Sequence, residues 1–87
     1  MGNLFETSYM TYDEKKEDFM NINEKVGALI RQFREAQGFS QMDFAAECQI
    51  SRAYYGRIER GEHSMTLDTC EQIAKTLGVR LASLFDD

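Results

Sequence analysis

The sequence predicts a compact all-α domain of five short helices behind an N-terminal extension. Three observations lead to this prediction. From residue 22 onward, apolar residues recur at intervals of three and four, the spacing of one face of an α-helix. The apolar segments follow Asn, Ser or Thr, residue types that cap helix N-termini. The chain has no proline, and it has no strand-like alternation of useful length.

Composition limits the class of protein. The chain has 87 residues, 43% hydrophobic and 29% charged, which suits one small globular domain. No apolar run approaches the roughly 20 residues of a transmembrane helix, and no basic leader precedes an apolar stretch. We therefore expect a cytoplasmic protein without membrane association. Two cysteines and one histidine offer little for a metal site, and no cofactor is predicted.

Residues 1–20 are interpreted as an N-terminal extension, and residues 21–87 as the folded domain. The extension lacks a sustained hydrophobic period, and its segment "YDEKKEDF" is highly charged. The net charge of −5 is unevenly distributed, because residues 1–24 hold six acids and two bases, whereas residues 25–65 hold five acids and six bases. Local potential governs nucleic-acid binding, so the overall acidity does not exclude DNA as a partner.

The first helix is predicted over residues 22–37. Asn21 or Asn23 can cap its start, and Gly38 suits the left-handed position at a helix end. Phe39 can then fold back against the core. The inward-facing residues of this helix share the helical spacing: Ile22, Val26, Leu29, Ile30 and Phe33.

The segment "QMDFAAECQISRAYYGRIERG", residues 41–61, cannot be a single helix, because its apolar positions lose phase near the middle. We predict one helix at about 41–48, capped by Ser40, and a second at about 52–60, capped by Ser51 and ended by Gly61. Two short helices joined by about three residues form a helix-turn-helix. At its corner, a small Ala45 allows close packing and Ile50 fills the space.

Tyr55 and Ile58 are predicted to anchor the second of these helices to the core. Thr66 caps a further helix at 67–77, which Gly78 ends. Its predicted inward residues are Leu67, Ile73, Ala74 and Leu77. The segment "VRLASLF" forms a last short helix that closes the core. A dimer surface is expected there, with one or more of its apolar residues partly exposed in the monomer: Leu81, Leu84 and Phe85.

From Ile30 to Phe85 the chain resembles the Cro and phage-repressor type of helix-turn-helix, also called the XRE family. The resemblance depends on the order and spacing of "REAQGFSQ", "SRAYYGRIERG" and "IAKTLGV". Within the family it is similar to small single-domain regulators and restriction-modification controller proteins. The resemblance implies a phage-repressor-like fold and a sequence-specific transcription regulator. It also implies a homodimer on an inverted repeat of double-stranded DNA, with residues 52–60 as the recognition helix in the major groove.

The resemblance also implies a set of DNA-contacting residues: Gln41, Ser51, Arg52, Ala53, Tyr54, Arg57, Arg60, His63 and Ser64. In the family, the positions of Arg52, Ala53 and Arg57 read bases. Gln41 would donate to a phosphate. Tyr54 would pack on sugar or base, or only on the protein surface. The remaining residues lie at the start of the recognition helix or in the loop after it, and would contact phosphates.

Three other positions have implied roles or depart from the pattern. Arg34 and Glu59 match an internal ion pair of the family and are excluded from the DNA contacts. Gln49 stands where the family usually has glycine, so a left-handed residue there would cost about 1 kcal/mol. Glu62 places an acid close to an expected phosphate.

A protein-interaction module or an antitoxin with the same fold is the alternative function, favoured by the acidity and the aromatic N-terminal extension. An enzyme is not expected, because nothing in the sequence supplies His63 with a nucleophile or acid partner. No small-molecule effector site is expected within this chain. The operator, the sign of regulation and any partner protein cannot be read from the sequence.

Overall fold

The computed structural model describes residues 21–85, which form four α-helices and a 3-10 turn without a strand among them. The helices are α1 (Ile22–Ala36), α2 (Gln41–Glu47), α3 (Arg52–Glu59) and α4 (Leu67–Leu77), and the 3-10 turn spans Leu81–Leu84. The predicted all-α fold is confirmed. The last predicted helix is a 3-10 turn, the form that short helical pieces often take. The prediction for residues 1–20 lies outside the described residues.

Each α-helix starts at the predicted polar cap. The side chain of Ser40 accepts a hydrogen bond from the Asp43 amide at 3.0 Å, and Ser51 and Thr66 cap α3 and α4 in the same way. Of the two candidates for α1, the cap is Asn21, which exchanges hydrogen bonds with Glu24. This reciprocal arrangement satisfies two backbone N–H groups that the helix itself leaves unpaired.

The four α-helices also end alike. A residue with positive φ follows the last turn, and two backbone hydrogen bonds run back into the helix. The residues with positive φ are Gly38, Gln49, Gly61 and Gly78. Short connections of this kind let the elements pack on one shared core, with α3 in contact with both α1 and α2.

The core is formed by residues from all five elements. Ile30, Phe44, Tyr55, Ile73 and Leu84 are each fully buried. Phe44 lies edge-on to Tyr55, with ring centroids 5.2 Å apart. Both cysteines are free and buried, and burial raises the pKa of each thiol. Within residues 21–85, no helix has the length and apolarity needed to cross a membrane.

The backbones of α1 and α3 lie in close contact at Gly27. A β-carbon at Gly27 would lie 2.2 Å from the carbonyl oxygen of Ile58 and 2.7 Å from that of Glu59. Glycine in mid-helix is less favourable than alanine by about 1 kcal/mol. Here the missing side chain is what allows the backbone of α1 to lie against the last turn of α3.

Two predicted core positions are wrong. Leu67 is 76% exposed, because it is the first residue of α4 and the first turn projects beyond the core. Ile22, the first residue of α1, is 50% exposed for the same reason. The last segment closes the core as predicted, through Leu84 with 0% exposure. Leu81 and Phe85 remain partly exposed there.

Candidate nucleic-acid interface

The turn between α2 and α3 forms the corner that the sequence predicts. Gln49 has φ of 64°, so it adopts the left-handed conformation usually held by glycine. Its amide donates to the Ala46 carbonyl, and the Ile50 amide donates to the Ala45 carbonyl, both at 3.0 Å. Ala45 is buried and Ile50 packs against the core. These contacts hold the start of α3 at a defined angle to α2.

The helix α3 has a buried face and an exposed face. Tyr55 and Ile58 are buried on the inner side, as predicted, whereas Arg52, Ala53 and Arg57 are exposed. Ala53 and Arg57 are four residues apart, so they lie side by side on the helix surface. Arg52 and Arg57 are five residues apart, so Arg52 lies at the margin of the same exposed surface.

Glu59 holds the inner side of α3 to the two preceding helices. Its carboxylate accepts hydrogen bonds from Arg34 Nε at 2.6 Å, from Gln41 Nε2 at 2.9 Å and from the Tyr55 hydroxyl. Arg34 belongs to α1 and Gln41 to α2, so this cluster joins three helices. The predicted ion pair between Arg34 and Glu59 is confirmed. The two additional donors, Gln41 and Tyr55, were not predicted.

The cluster at Glu59 favours a charged carboxylate. Burial alone would raise the pKa of Glu59, but the hydrogen bonds from Arg34, Tyr55 and Gln41 more than offset burial, so the pKa lies below its usual value. The hydrogen bond to Glu59 raises the pKa of Arg34. Burial, together with the hydrogen bond to Glu59, raises the pKa of Tyr55. Near neutral pH, an ion pair with a neutral tyrosine therefore orients α3.

Gln41 and Ser51 lie at the starts of the two helices of the motif. Gln41 is half-buried, and one of its amide hydrogens points to Glu59. An amide group has two such hydrogens, so a second donor remains. Ser51 is exposed, and its oxygen accepts from the Tyr54 amide, which leaves the hydroxyl hydrogen able to donate.

The loop after α3 is held by contacts to α3 and to α1. The ring of Tyr54 meets the ring of His63 edge-on, with centroids 5.3 Å apart. His63 Nδ1 lies 2.9 Å from the carbonyl oxygen of Ser64, so Nδ1 is the donor. The Ser64 hydroxyl accepts a hydrogen bond from Asn23 Nδ2 at 3.1 Å. Arg60 is exposed and pairs with Glu62 in the same loop.

Among the nine predicted DNA-contacting residues, seven are exposed and two, Gln41 and Tyr54, are half-buried. They lie on α3, at the N-terminal ends of α2 and α3, and in the loop after α3. The hydrogen bond from Asn23 to Ser64 was not predicted, and it joins residues that are 41 positions apart in the sequence. No local spacing signals such a contact.

The corner, the exposed face of α3 and the buried cluster behind it define a helix-turn-helix domain of the kind found in DNA-binding transcription regulators. A sequence model described as helix-turn-helix matches residues 30–84. The chain therefore belongs to this helix-turn-helix family of transcription regulators, as the resemblance predicted.

Individual proteins agree with this assignment. The chain is 40% identical over 67 residues to the control protein C.BamHI of Bacillus amyloliquefaciens, covering 76% of this chain and 83% of the relative. Among solved structures, it is similar to the restriction-modification controller protein C.AhdI of Aeromonas hydrophila. The TM-score is 0.69 at 32% identity, over 71% of this chain and 90% of that one.

A further similar structure is that of SinR, a master regulator for biofilm formation, solved in complex with DNA. The TM-score is 0.67 at 26% identity, over 70% of this chain and 98% of that one.

Proposed function

We propose that this chain regulates transcription by binding a specific sequence of double-stranded DNA, with α3 in the major groove. The observation that carries the proposal is the exposed face of α3, on which Arg52, Ala53 and Arg57 stand free of the core. Arginine can bond O6 and N7 of guanine, which contributes about 1–3 kcal/mol of discrimination. Ala53 would contact a thymine methyl group.

Contacts to phosphates would fix the register of α3 without reading sequence. Candidates lie at both ends of α3. Gln41 and Ser51 each keep a free donor hydrogen. His63 and Ser64 follow in the loop, where the contact with Asn23 holds Ser64. Tyr54, half-buried against His63, would pack on the sugar-phosphate chain beside them.

We further propose that the chain acts as a homodimer on an inverted repeat. Two recognition helices would then lie about 34 Å apart, one turn of DNA. The C-terminal 3-10 turn supports this, because Leu81 is 37% exposed and Phe85 48% exposed. In analytical ultracentrifugation, Phe85→Asp should change the sedimenting species from a dimer to a monomer. The control is Met42→Asp, which replaces an exposed apolar residue on α2 and should leave the dimer unchanged. A Phe85→Asp protein that remained dimeric would exclude this surface.

The experiment that tests DNA recognition is selection of bound duplexes from a random pool. We expect enrichment of an inverted repeat. Arg57→Ala should relax the preference at one position in each half-site, with a loss of about 1–3 kcal/mol for the preferred base. Arg31→Ala is the matched control, because Arg31 is an exposed arginine on α1 that pairs with Glu35. Unchanged specificity with Arg57→Ala would contradict the assignment of α3.

Salt dependence separates this function from the alternative, a protein-interaction module or antitoxin. A DNA-binding protein releases counterions at each phosphate contact, so its affinity falls steeply as salt rises. Absence of DNA binding at every salt concentration would favour the alternative. We infer no enzymatic activity, since, within residues 21–85, the groups in contact with His63 are a carbonyl oxygen and an aromatic ring rather than a nucleophile. The proposed site of action is the cytoplasm.

A further inference from the structure

We propose that Glu62 is an internal competitor for Arg60, and that its carboxylate occupies the place on the guanidinium that a DNA phosphate takes on binding. This inference depends on the proposed DNA binding. It adds that a residue with no DNA contact of its own sets the affinity.

The pair has the geometry of a bound anion. Arg60 Nε donates to one carboxylate oxygen of Glu62 at 2.9 Å, and Nη2 donates to the other at 3.2 Å. Two parallel hydrogen bonds of this kind are also how arginine binds a phosphate. A phosphate can therefore engage the same two donors only after the carboxylate has left them.

The backbone places Glu62 at this position. Gly61 has φ of 73°, which turns the chain back after α3. The Glu62 amide then donates to the carbonyl oxygen of Arg57 at 2.9 Å. These contacts fix the main chain on both sides of the turn, so the Glu62 side chain starts within reach of Arg60.

The guanidinium of Arg60 lies on the exposed face of α3. A β-carbon at Gly56 would be 3.1 Å from Arg60 Nη1, so the guanidinium covers the glycine of this helix. Gly56 and Arg60 share a helical face with Ala53 and Arg57, through spacings of three and four residues. The competitor therefore acts on the surface proposed to meet DNA.

The ion pair between Arg60 and Glu62 can form without DNA and can be replaced by a phosphate when DNA binds. The hydrogen bonds from Arg60 lower the pKa of the Glu62 carboxyl, which keeps it charged near neutral pH. Both side chains are 55% exposed, and exposed pairs are weak and screened by salt. Duplex DNA adds the attraction of its neighbouring phosphates, so it can replace the carboxylate.

The test is a double-mutant cycle of Glu62→Gln and Arg60→Ala. Affinity is measured by fluorescence anisotropy with the duplex from the selection, at low and high salt. In the wild-type background, Glu62→Gln should tighten binding about two- to fivefold at low salt, and less at high salt. In the Arg60→Ala background, most of this gain should disappear.

The control is Glu71→Gln, which removes one charge from an exposed position on α4. Equal tightening by Glu62→Gln in both backgrounds would overturn the inference, because Glu62 would then act only through general repulsion. The inference would also be overturned if Glu62→Gln did not raise the affinity for DNA in the wild-type background. A wild-type chain that binds no duplex at any salt would instead refute the proposed function, and the competitor role with it.

A measurement without DNA tests the pair itself. In the wild-type chain, the Glu62 carboxyl should titrate below its usual range by nuclear magnetic resonance, and in Arg60→Ala it should return toward that range. If the pKa of Glu62 were the same in the wild-type chain and in Arg60→Ala, the carboxylate would not be bound to the guanidinium in solution, and the inference would be overturned.

Discussion

Replacing Glu59 by glutamine tests how α3 is held to the other helices. The substitution keeps the size of the side chain and removes its charge. Arg34 is only 7% exposed and makes two hydrogen bonds to Glu59 and one to the Phe39 carbonyl. The other carboxylate near it, that of the exposed Glu35, is farther away at 3.7 Å, so Glu59 is its main partner. The NH2 group of the new glutamine is itself a donor, so it could not accept the hydrogen bonds that Tyr55 and Gln41 donate to Glu59.

The expected cost is about 3–5 kcal/mol, the usual penalty for leaving one partner of a buried ion pair without the other charge. Small domains have total stabilities of about 5–15 kcal/mol, so this is a large fraction. The midpoint of thermal unfolding should fall by at least about 12 °C, since 1 kcal/mol corresponds to about 4–8 °C at this size.

Circular dichroism during thermal and urea unfolding measures the effect. The matched control is Glu47→Gln at the exposed end of α2, which should change stability by less than about 0.5 kcal/mol. The double variant Arg34→Met with Glu59→Leu should lose less than the sum of its two single variants, because it leaves no unpaired charge. Additive losses, or a Glu59→Gln protein as stable as the control, would refute this account.

Three further predictions concern the same scaffold. Gln49→Gly should stabilise the domain by about 1 kcal/mol in urea unfolding, because it removes a side chain from a left-handed residue, and a lower stability would argue against that strain. Gly27→Ala should destabilise it by about 1–3 kcal/mol through the 2.2 Å approach to a carbonyl oxygen, whereas Gly56→Ala, which meets only the movable Arg60 side chain, should cost less in the same assay. The pKa of Glu59 is lowered on folding, so the unfolded chain binds more protons in acid. The contribution of Glu59 to the free energy of unfolding should therefore be complete above its usual pKa of 4.5, and it should be lost as the pH falls through the lower pKa of the folded state. Urea unfolding at several pH values measures this loss, which should be smaller in Glu59→Gln.

The local features of the fold could be predicted from the sequence. Ser40, Ser51 and Thr66 each cap a helix within three residues of themselves, so the signal lies in one short segment. The family pattern, with glycine at the position of Gln49, raised a left-handed backbone there as a condition, and the structure has it.

Contacts between distant segments could be predicted only in part. The Arg34–Glu59 pair joins residues 25 apart, and it was predicted from the family resemblance and not from spacing. The bond between Asn23 and Ser64 has no such signal. The last segment was predicted to close the core, and Leu84 does so, but the sequence left open which of its apolar residues stay partly exposed, and these are Leu81 and Phe85.

The full burial of Leu84 has a consequence for the growing chain. Leu84 is part of the same core cluster as Ile30 of α1 and Ile73 of α4. A nascent polypeptide that ends before residue 84 would leave that apolar surface open to water, and water-exposed apolar surface lowers stability and invites association. The domain therefore completes its fold only after the ribosome has released this leucine, however early the helix-turn-helix itself emerges.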